Sequence, residues 1–289
     1  AAPTVVGDVN GDGLDDALFV DTDQLAVQLG YLFLGRTSVP ASPLTLNAPN
    51  ATFDVGSFNV PESGAPLGNL KVGVVGDLNH DGYDDILLSR TIELDAPGSG
   101  SLYVFLGSAN YLVSTARSLS RVDAALRVIR QVGAEFGDTV SISGELTATS
   151  GDFDGDRRLD LAIGEKSRFG IGPGFTFLDA RPRGAVYLFR DIAALLSGAP
   201  VTLLLTDADV TIAGEQDLDS FGSLSSTPSL DLNRDGVDEL VIGAKAANSL
   251  GTQSLFDAGA IYLVYGAAPA DASNLPTAGQ AIPLENFPV

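Results

Sequence analysis

The sequence of 289 residues contains no cysteine, methionine or tryptophan, and its single histidine is His80. Without cysteine the chain forms no disulfides and has no thiol nucleophile. Zinc and copper sites are disfavoured too, because these metals favour cysteine or clustered histidine. A Ser-His triad would have to recruit His80, which lies inside an acidic motif. We therefore predict no catalytic residues and no enzymatic activity.

Basic residues and long apolar runs are also scarce. The chain has 16 lysines and arginines against 37 aspartates and glutamates, which gives a formal charge of −21. Nucleic-acid binding needs a basic surface to neutralise phosphates, and this composition does not supply one. No apolar run approaches the roughly 18 residues needed to span a bilayer. We expect neither nucleic acid as a partner nor membrane insertion.

A nine-residue acidic motif is present instead, and it occurs four times, at 8–16, 77–85, 152–160 and 231–239. Each copy has carboxylate or amide side chains at its first, third, fifth and ninth places. A hard cation such as calcium takes about six to eight oxygen ligands in flexible geometry. The alternative is a set of solvated turns in which Asp, Asn and Gly bond locally. We predict up to four Ca²⁺ ions.

The motif differs from the EF-hand loop, which ends at its twelfth place in a bidentate glutamate. The twelfth places here are all apolar: Phe19, Leu88, Ile163 and Ile242. A short apolar run follows each motif, and small or β-branched residues precede three of them, which is typical of buried strands. Each motif is therefore expected to link two antiparallel strands.

Two other features recur with the motif. An alternating segment with a tyrosine follows each copy, with the tyrosine expected in the core, at Tyr31, Tyr103, Tyr187 and Tyr262. A Phe-Gly pair precedes the third and fourth copies, at 136–137 and 221–222, and is replaced by Leu-Gly at 67–68 before the second. The motifs start at 8, 77, 152 and 231, so they are 69, 75 and 79 residues apart. This spacing suits a propeller blade with insertions.

Together these features resemble the FG-GAP repeats of the integrin alpha-chain β-propeller and its bacterial relatives, over nearly the whole chain. The resemblance implies four-stranded antiparallel blades with calcium in the loop between the first two strands. The implied side-chain ligands are Asp8, Asn10, Asp12, Asp16, Asp77, Asn79, Asp81, Asp85, Asp152, Asp154, Asp156, Asp160, Asp231, Asn233, Asp235 and Glu239. The implied backbone carbonyl ligands are Leu14, Tyr83, Arg158 and Val237. Two positions depart from the pattern: Arg157 replaces the sixth-place glycine, and Glu239 replaces the ninth-place aspartate.

The expected fold is an all-β propeller in a single domain, 1–289, with repeats of about 1–50, 51–120, 121–205 and 206–289. Four repeats use up the chain, so it either closes as a small propeller or forms part of a larger one. The β-like tail 281–289 is expected to close the ring with residues 1–7, or to pair with a neighbouring molecule. Residues 191–198 predict a short helix in a surface insertion.

Two functions fit these features. The first is a calcium-binding adhesion or recognition module, presenting loops such as 170–177 and 246–253 to a protein or glycan. The second is a structural subunit of a calcium-dependent filament, sheath or layer built from copies of itself. Both functions imply a secreted or cell-surface protein. The start at Ala1 without a leader suits a mature chain or a fragment. Acidic pairs that resemble glycosidase carboxylates are interpreted as solvated loop residues: Asp207, Asp209, Glu215, Asp217 and Asp219.

Overall fold

The computed structural model of the chain describes residues 3–21, 29–38, 49–55, 70–90, 100–112, 117–129, 145–166, 184–198, 200–214, 220–225, 228, 231–245, 259–266 and 281–283. The first nine strands are β1 Thr4–Gly7, β2 Asp16–Val20, β3 Gly30–Phe33, β4 Ala51–Asp54, β5 Leu70–Val74, β6 Ile86–Arg90, β7 Ser101–Phe105, β8 Arg117–Ser120 and β9 Leu126–Ile129. The next nine are β10 Glu145–Gly151, β11 Asp160–Lys166, β12 Ala185–Phe189, β13 Val201–Leu204, β14 Val210–Ala213, β15 Phe221–Leu224, β16 Leu240–Ala244, β17 Ala260–Val264 and β18 Ala281–Pro283.

These strands form four sheets, in the orders β1-β2-β3-β4-β8, β5-β6-β7-β9-β13, β10-β11-β12-β14-β18 and β15-β16-β17. The prediction of a β fold is confirmed for the described residues, which are nearly all β and form one sheet for each acidic motif. In every sheet, the apolar run after the acidic motif forms the second strand, and the tyrosine segment forms the third. Both strands alternate in burial or are buried throughout, because each sheet packs against a neighbour.

The prediction of purely antiparallel four-stranded blades is wrong for three of the sheets, which are mixed. A fifth strand lies parallel to the fourth: β8 beside β4, β13 beside β9 and β18 beside β14. After the third strand of sheets two, three and four, the chain first adds a strand to the outer edge of the preceding sheet. A single helical turn at Arg121–Asp123 or Leu205–Asp207 then leads β8 into β9 and β13 into β14. The fifth strands therefore tie successive sheets together.

The core of the described part of the chain consists of three apolar clusters, one between each pair of successive sheets. The first cluster joins sheets one and two, where the rings of Phe53 and Phe105 meet edge to face with centroids 5.0 Å apart. The inner sheets are covered on both faces, so every residue of β6 and β7 is buried. Among the predicted core tyrosines, Tyr103 is fully buried, and Tyr187 and Tyr262 pack against the second and third clusters.

The first and the last described strands lie in different sheets. Strand β1 pairs with β2 in the first sheet, whereas β18 pairs with β14 in the third. The expected pairing of the tail with residues 1–7 is therefore wrong for the described part of the tail, because β18 repeats the edge position of β8 and β13. No apolar cluster of the described residues joins the first sheet to the fourth, and closure into a ring stays a prediction.

The predicted helix after the third tyrosine strand is present as α1, Ile192–Leu196. It is not a detached surface insertion, because Ile192 and Leu196 are buried in the second apolar cluster. Within the described residues, no helix combines the length and apolar character required to cross a membrane.

Candidate metal-binding loops

All four acidic motifs occupy the same place in the fold. They connect the first and second strands of the four sheets, in the antiparallel pairs β1–β2, β5–β6, β10–β11 and β15–β16. The sequence-based expectation that each motif links antiparallel strands is confirmed. We refer to the motifs as loops one to four, in chain order.

The first-place aspartate organises each loop by accepting backbone N–H groups from residues further along it. In loop one, Asp8 Oδ1 accepts from Gly11 at 2.7 Å and from Asp12 at 3.0 Å, and Oδ2 accepts from Gly13 at 2.7 Å. The sixth-place N–H donates to the first-place carboxylate in the other loops as well, at 2.8, 2.8 and 2.9 Å in loops two, three and four.

The third-place and fifth-place side chains are fixed in the same way. The third-place Oδ1 accepts the fifth-place N–H at 2.9, 3.2, 3.2 and 2.8 Å in loops one to four. The fifth-place Oδ1 accepts the seventh-place N–H at 3.0, 3.1, 2.8 and 3.0 Å. Each loop thus holds three oxygen-bearing side chains against its own backbone in one repeated conformation.

The ninth-place carboxylates anchor the loops to the sheets. In loops one, two and three, one oxygen accepts the second-place N–H and the other accepts an N–H just beyond the third strand; these residues are Asp16, Asp85 and Asp160. Burial raises the pKa of Asp16 to about 6 and the pKa values of Asp85 and Asp160 to about 7, and nearby loop aspartates add to the effect. Bound N–H groups oppose these shifts only in part.

Loop four has an unpaired buried oxygen. Glu239 is 1% exposed; its Oε2 accepts the N–H of Leu232 at 2.5 Å, whereas Oε1 is buried with no hydrogen-bond partner. Oxygens of Asp231, Asp235 and Glu239 lie within 4.8 Å of one another. A carboxylate oxygen without a donor, beside two other carboxylates, fits a hard cation such as calcium.

Loop three also gathers three carboxylates, but it lies beside basic groups. Oxygens of Asp152, Asp154 and Asp156 are within 4.8 Å of one another. Arg190 Nε lies 3.9 Å from Asp154 Oδ2, and Arg158 pairs with Asp191. Asp154 stands where the other loops have asparagine, so the predicted ligands of loop three include one more carboxylate, and a neighbouring guanidinium offsets its charge.

Left-handed backbone occurs at two places in each loop. The sixth place has φ of 84°, 90°, 68° and 91° at Gly13, Gly82, Arg157 and Gly236. The departure noted at Arg157 is therefore a non-glycine residue held in a conformation that favours glycine. The fourth place is left-handed too, with His80 at 58° and Arg234 at 66°. This second position was not evident from the sequence, because His and Arg occupy it in two of the loops.

The eighth-place acids have a role that was not predicted from the sequence. Asp84 of loop two and Asp238 of loop four accept backbone N–H groups from loops one and three, respectively. The sequence did carry a signal for this role, because an acid occupies the eighth place in three of the four motifs.

Asp207 and Asp209, two of the acids compared above with glycosidase carboxylates, have structural partners. Asp207 Oδ2 accepts the N–H of Leu204 at 2.7 Å, and Asp209 Oδ2 accepts the N–H of Arg190 at 2.8 Å. Glu215, Asp217 and Asp219 lie outside the described residues, as do the inter-blade loops 170–177 and 246–253. The Phe-Gly pair at 221–222 lies in β15, whereas 136–137 and 67–68 are outside the described residues.

Comparison with known proteins agrees with the repeat pattern at a coarse level. Over 187 residues, or 64% of this chain, it is 32% identical to integrin alpha-PS5 of Drosophila melanogaster. Over 230 residues, or 74% of this chain, it is 28% identical to phosphatidylinositol-glycan-specific phospholipase D of Dictyostelium discoideum. The matched regions span 15% and 22% of those proteins, so the chain corresponds to a small part of each. No family model matches the chain.

Proposed function

We propose that this chain is a calcium-binding, extracellular β-propeller module that recognises a protein or glycan ligand. The observation that carries the calcium assignment is the buried, unpaired Glu239 Oε1 beside Asp231 and Asp235. The hydrogen bonds within loop four recur in loops one, two and three. Among the described residues, three carboxylates within 4.8 Å of one another occur in loops three and four. Bound calcium would supply the positive charge that these converging carboxylates lack.

The residues that would hold the ions are the first-, third-, fifth- and ninth-place side chains, with the seventh-place carbonyl. The first-place and fifth-place aspartates are already held in position by loop amides, so little side-chain ordering would accompany binding. The ninth-place carboxylates are buried and also hold the loop to its sheet. A metal at these loops would therefore act as a structural staple in a chain without disulfides.

The recognition role is supported by similarity to integrin alpha-PS5 and by the repeated sheets. An extracellular location is supported by the same similarity, and we expect the loops to bind calcium with a Kd of about 10⁻⁴ to 10⁻³ M, as extracellular modules do. We propose a binding role rather than catalysis, because Asp207 and Asp209, the two carboxylates considered for catalysis that the structure describes, each accept a backbone N–H group.

Calcium titration by isothermal calorimetry tests the metal assignment. We expect saturable binding of up to four ions, with one ion lost in Asp12→Ala, which removes a fifth-place carboxylate. Asp123→Ala removes an exposed acid outside the loops and serves as the matched control. Absence of saturable binding in the intact chain would contradict the assignment. Binding to arrays of glycans and extracellular proteins, in calcium and after chelation, then tests recognition.

A structural subunit is the second candidate, and one surface favours it. Apolar side chains on the outer face of sheet four are exposed: Val241, Ile261, Leu263 and Tyr265. At positions of β12 equivalent to Ile261 and Leu263, Val186 and Leu188 are buried against the next sheet. Sedimentation in calcium separates the two candidates. Assembly that is abolished by Ile261→Asp would favour the subunit, and a calcium-loaded monomer would exclude it.

A further inference from the structure

The eighth-place carboxylates of loops two and four each bind the neighbouring loop. Asp84 Oδ2 accepts the N–H of Asp8 at 2.8 Å, and the N–H of Asp84 donates to the carbonyl of Asp8 at 3.0 Å. Asp238 Oδ2 accepts the N–H of Asp152 at 2.9 Å, and the N–H of Asp238 donates to the carbonyl of Asp152 at 2.8 Å. The same reciprocal contact thus joins loop one to loop two and loop three to loop four.

Close packing reinforces both contacts. A Cβ atom at Gly7 would lie 2.0 Å from Asp84 Oδ2, so this carboxylate reaches Asp8 only because residue 7 has no side chain. On the other side, Cβ atoms at Gly107 and Gly266 would lie 3.0 and 2.9 Å from the carbonyl oxygens of Val9 in loop one and Phe153 in loop three. Neither loop of a pair can shift far without moving the other.

The boundary between loops two and three is built differently. Its eighth-place residue is Leu159, which has no carboxylate to accept the N–H of Asp77. Leu159 packs against the apolar cluster that contains Leu78, and Ser150 Oγ donates to the carbonyl of Val75 at 2.6 Å. This boundary is closed by apolar packing and a hydroxyl rather than by a contact on a first-place aspartate.

We infer that the four loops bind calcium as two cooperative pairs, one with two and three with four, with Asp84 and Asp238 as the positioning residues. This inference rests on the proposed calcium binding. Asp8 and Asp152 supply first-place ligands, while Asp84 and Asp238 precede the ninth-place ligands Asp85 and Glu239. An ion that orders one loop therefore orders the backbone beside a ligand of its partner.

The coupling is measured on the full chain by calcium titration followed through amide resonances. The sixth-place N–H groups report individual loops, because those of Gly13, Gly82 and Gly236 each bond a first-place aspartate. In the native chain, Gly13 and Gly82 are expected to titrate together with a Hill slope above one. In Asp84→Ala, they should titrate separately, and the affinity of at least one loop should fall about fivefold or more.

Asp15→Ala is the matched control, since Asp15 is the exposed eighth-place acid of loop one, and cooperative titration should persist in it. Asp12→Ala tests the coupling in a second way, because it removes a predicted ligand of loop one and leaves Asp84 in place. It should weaken loop two by about fivefold or more and leave Gly236 of loop four unchanged. Four ions binding independently in the native chain would overturn the coupling while leaving calcium binding intact. A native chain that binds no calcium would overturn both.

Discussion

Individual carboxylates decide how this chain responds to pH. The ninth-place aspartates have raised pKa values because burial disfavours their charged form. Where such a group has a higher pKa in the folded than in the unfolded chain, the folded state binds more protons. Its contribution to stability is then greatest at low pH and is lost as pH rises through the folded-state pKa.

The metal-free protein is therefore expected to lose stability as pH rises from about 4 to about 7, the interval between the ordinary aspartate pKa of 3.8 and the raised pKa values of Asp16, Asp85 and Asp160. Thermal unfolding of decalcified protein across this interval measures the effect. Asp85→Asn should reduce the dependence of the melting temperature on pH, because it removes one of the titrating carboxylates. A melting temperature that rises across the interval in the metal-free chain would contradict the burial argument.

Arg190 is expected to weaken calcium binding in loop three. Its guanidinium lies beside Asp154, a predicted ligand, and would repel a bound divalent ion. Removing the charge with Arg190→Gln should tighten binding at loop three by about tenfold, equivalent to roughly 1.4 kcal/mol. Calorimetric titration measures the change, with Arg121→Gln as a control outside the loops. Unchanged or weaker binding at loop three would contradict this electrostatic role.

The sixth-place glycines are expected to be required for backbone conformation alone. Gly82 has φ of 90°, and a Cβ atom there would meet nothing within 4 Å. Gly82→Ala should therefore lower the free energy of unfolding by about 1–2 kcal/mol through left-handed strain. Gly198→Ala is the control, because that site is equally open without left-handed backbone. Equal effects of the two substitutions in denaturant unfolding would argue against strain.

At the scale of elements, glycines set how closely neighbouring sheets approach. Gly164 in β11 faces β15, and a Cβ atom there would lie 2.0 Å from the carbonyl oxygen of Gly222. The corresponding glycine of β16, Gly243, has its nearest neighbour at 3.1 Å, a side-chain carbon of Ser223. The Phe-Gly pair of β15 thus belongs to a tight contact between sheets three and four.

Gly164→Ala is therefore expected to destabilise the protein by more than Gly243→Ala. Overpacking in a close contact typically costs about 1–3 kcal/mol, and here the clash involves backbone that cannot swing away. Chemical denaturation of both variants compares the two positions. Similar losses at both would show that β11 and β15 can separate without cost.

The elements also show how far sequence reasoning extends. Strands flanking the motifs were predictable because apolar runs next to regularly spaced Asp, Asn and Gly carry local information. The parallel edge strands β8, β13 and β18 were not, since their pairing depends on where the chain lies in three dimensions. The contact made by Asp84 was missed for a related reason: its partner Asp8 is 76 residues away. Helix α1 was predicted, but its packing on the core was not.

For the whole molecule, the balance of charge would make the proposed calcium a global stabiliser. The chain has a formal charge of −21, and four divalent ions would reduce it to −13 (−21 + 8). Sixteen of its acids lie in the four loops, so repulsion in the metal-free state is concentrated there. The loops also join the first two strands of every sheet. Loss of metal at the loops is therefore expected to weaken all four sheets together.

The most direct measurement is calorimetric unfolding of the intact chain without metal, in millimolar calcium and in millimolar magnesium. Each site at a free calcium concentration of ten times its Kd should add about 1.4 kcal/mol to the free energy of unfolding. We expect calcium to raise the melting temperature strongly. Magnesium should raise it less, because it demands stricter octahedral geometry. A melting temperature indifferent to calcium would contradict the assignment of the four loops as calcium sites.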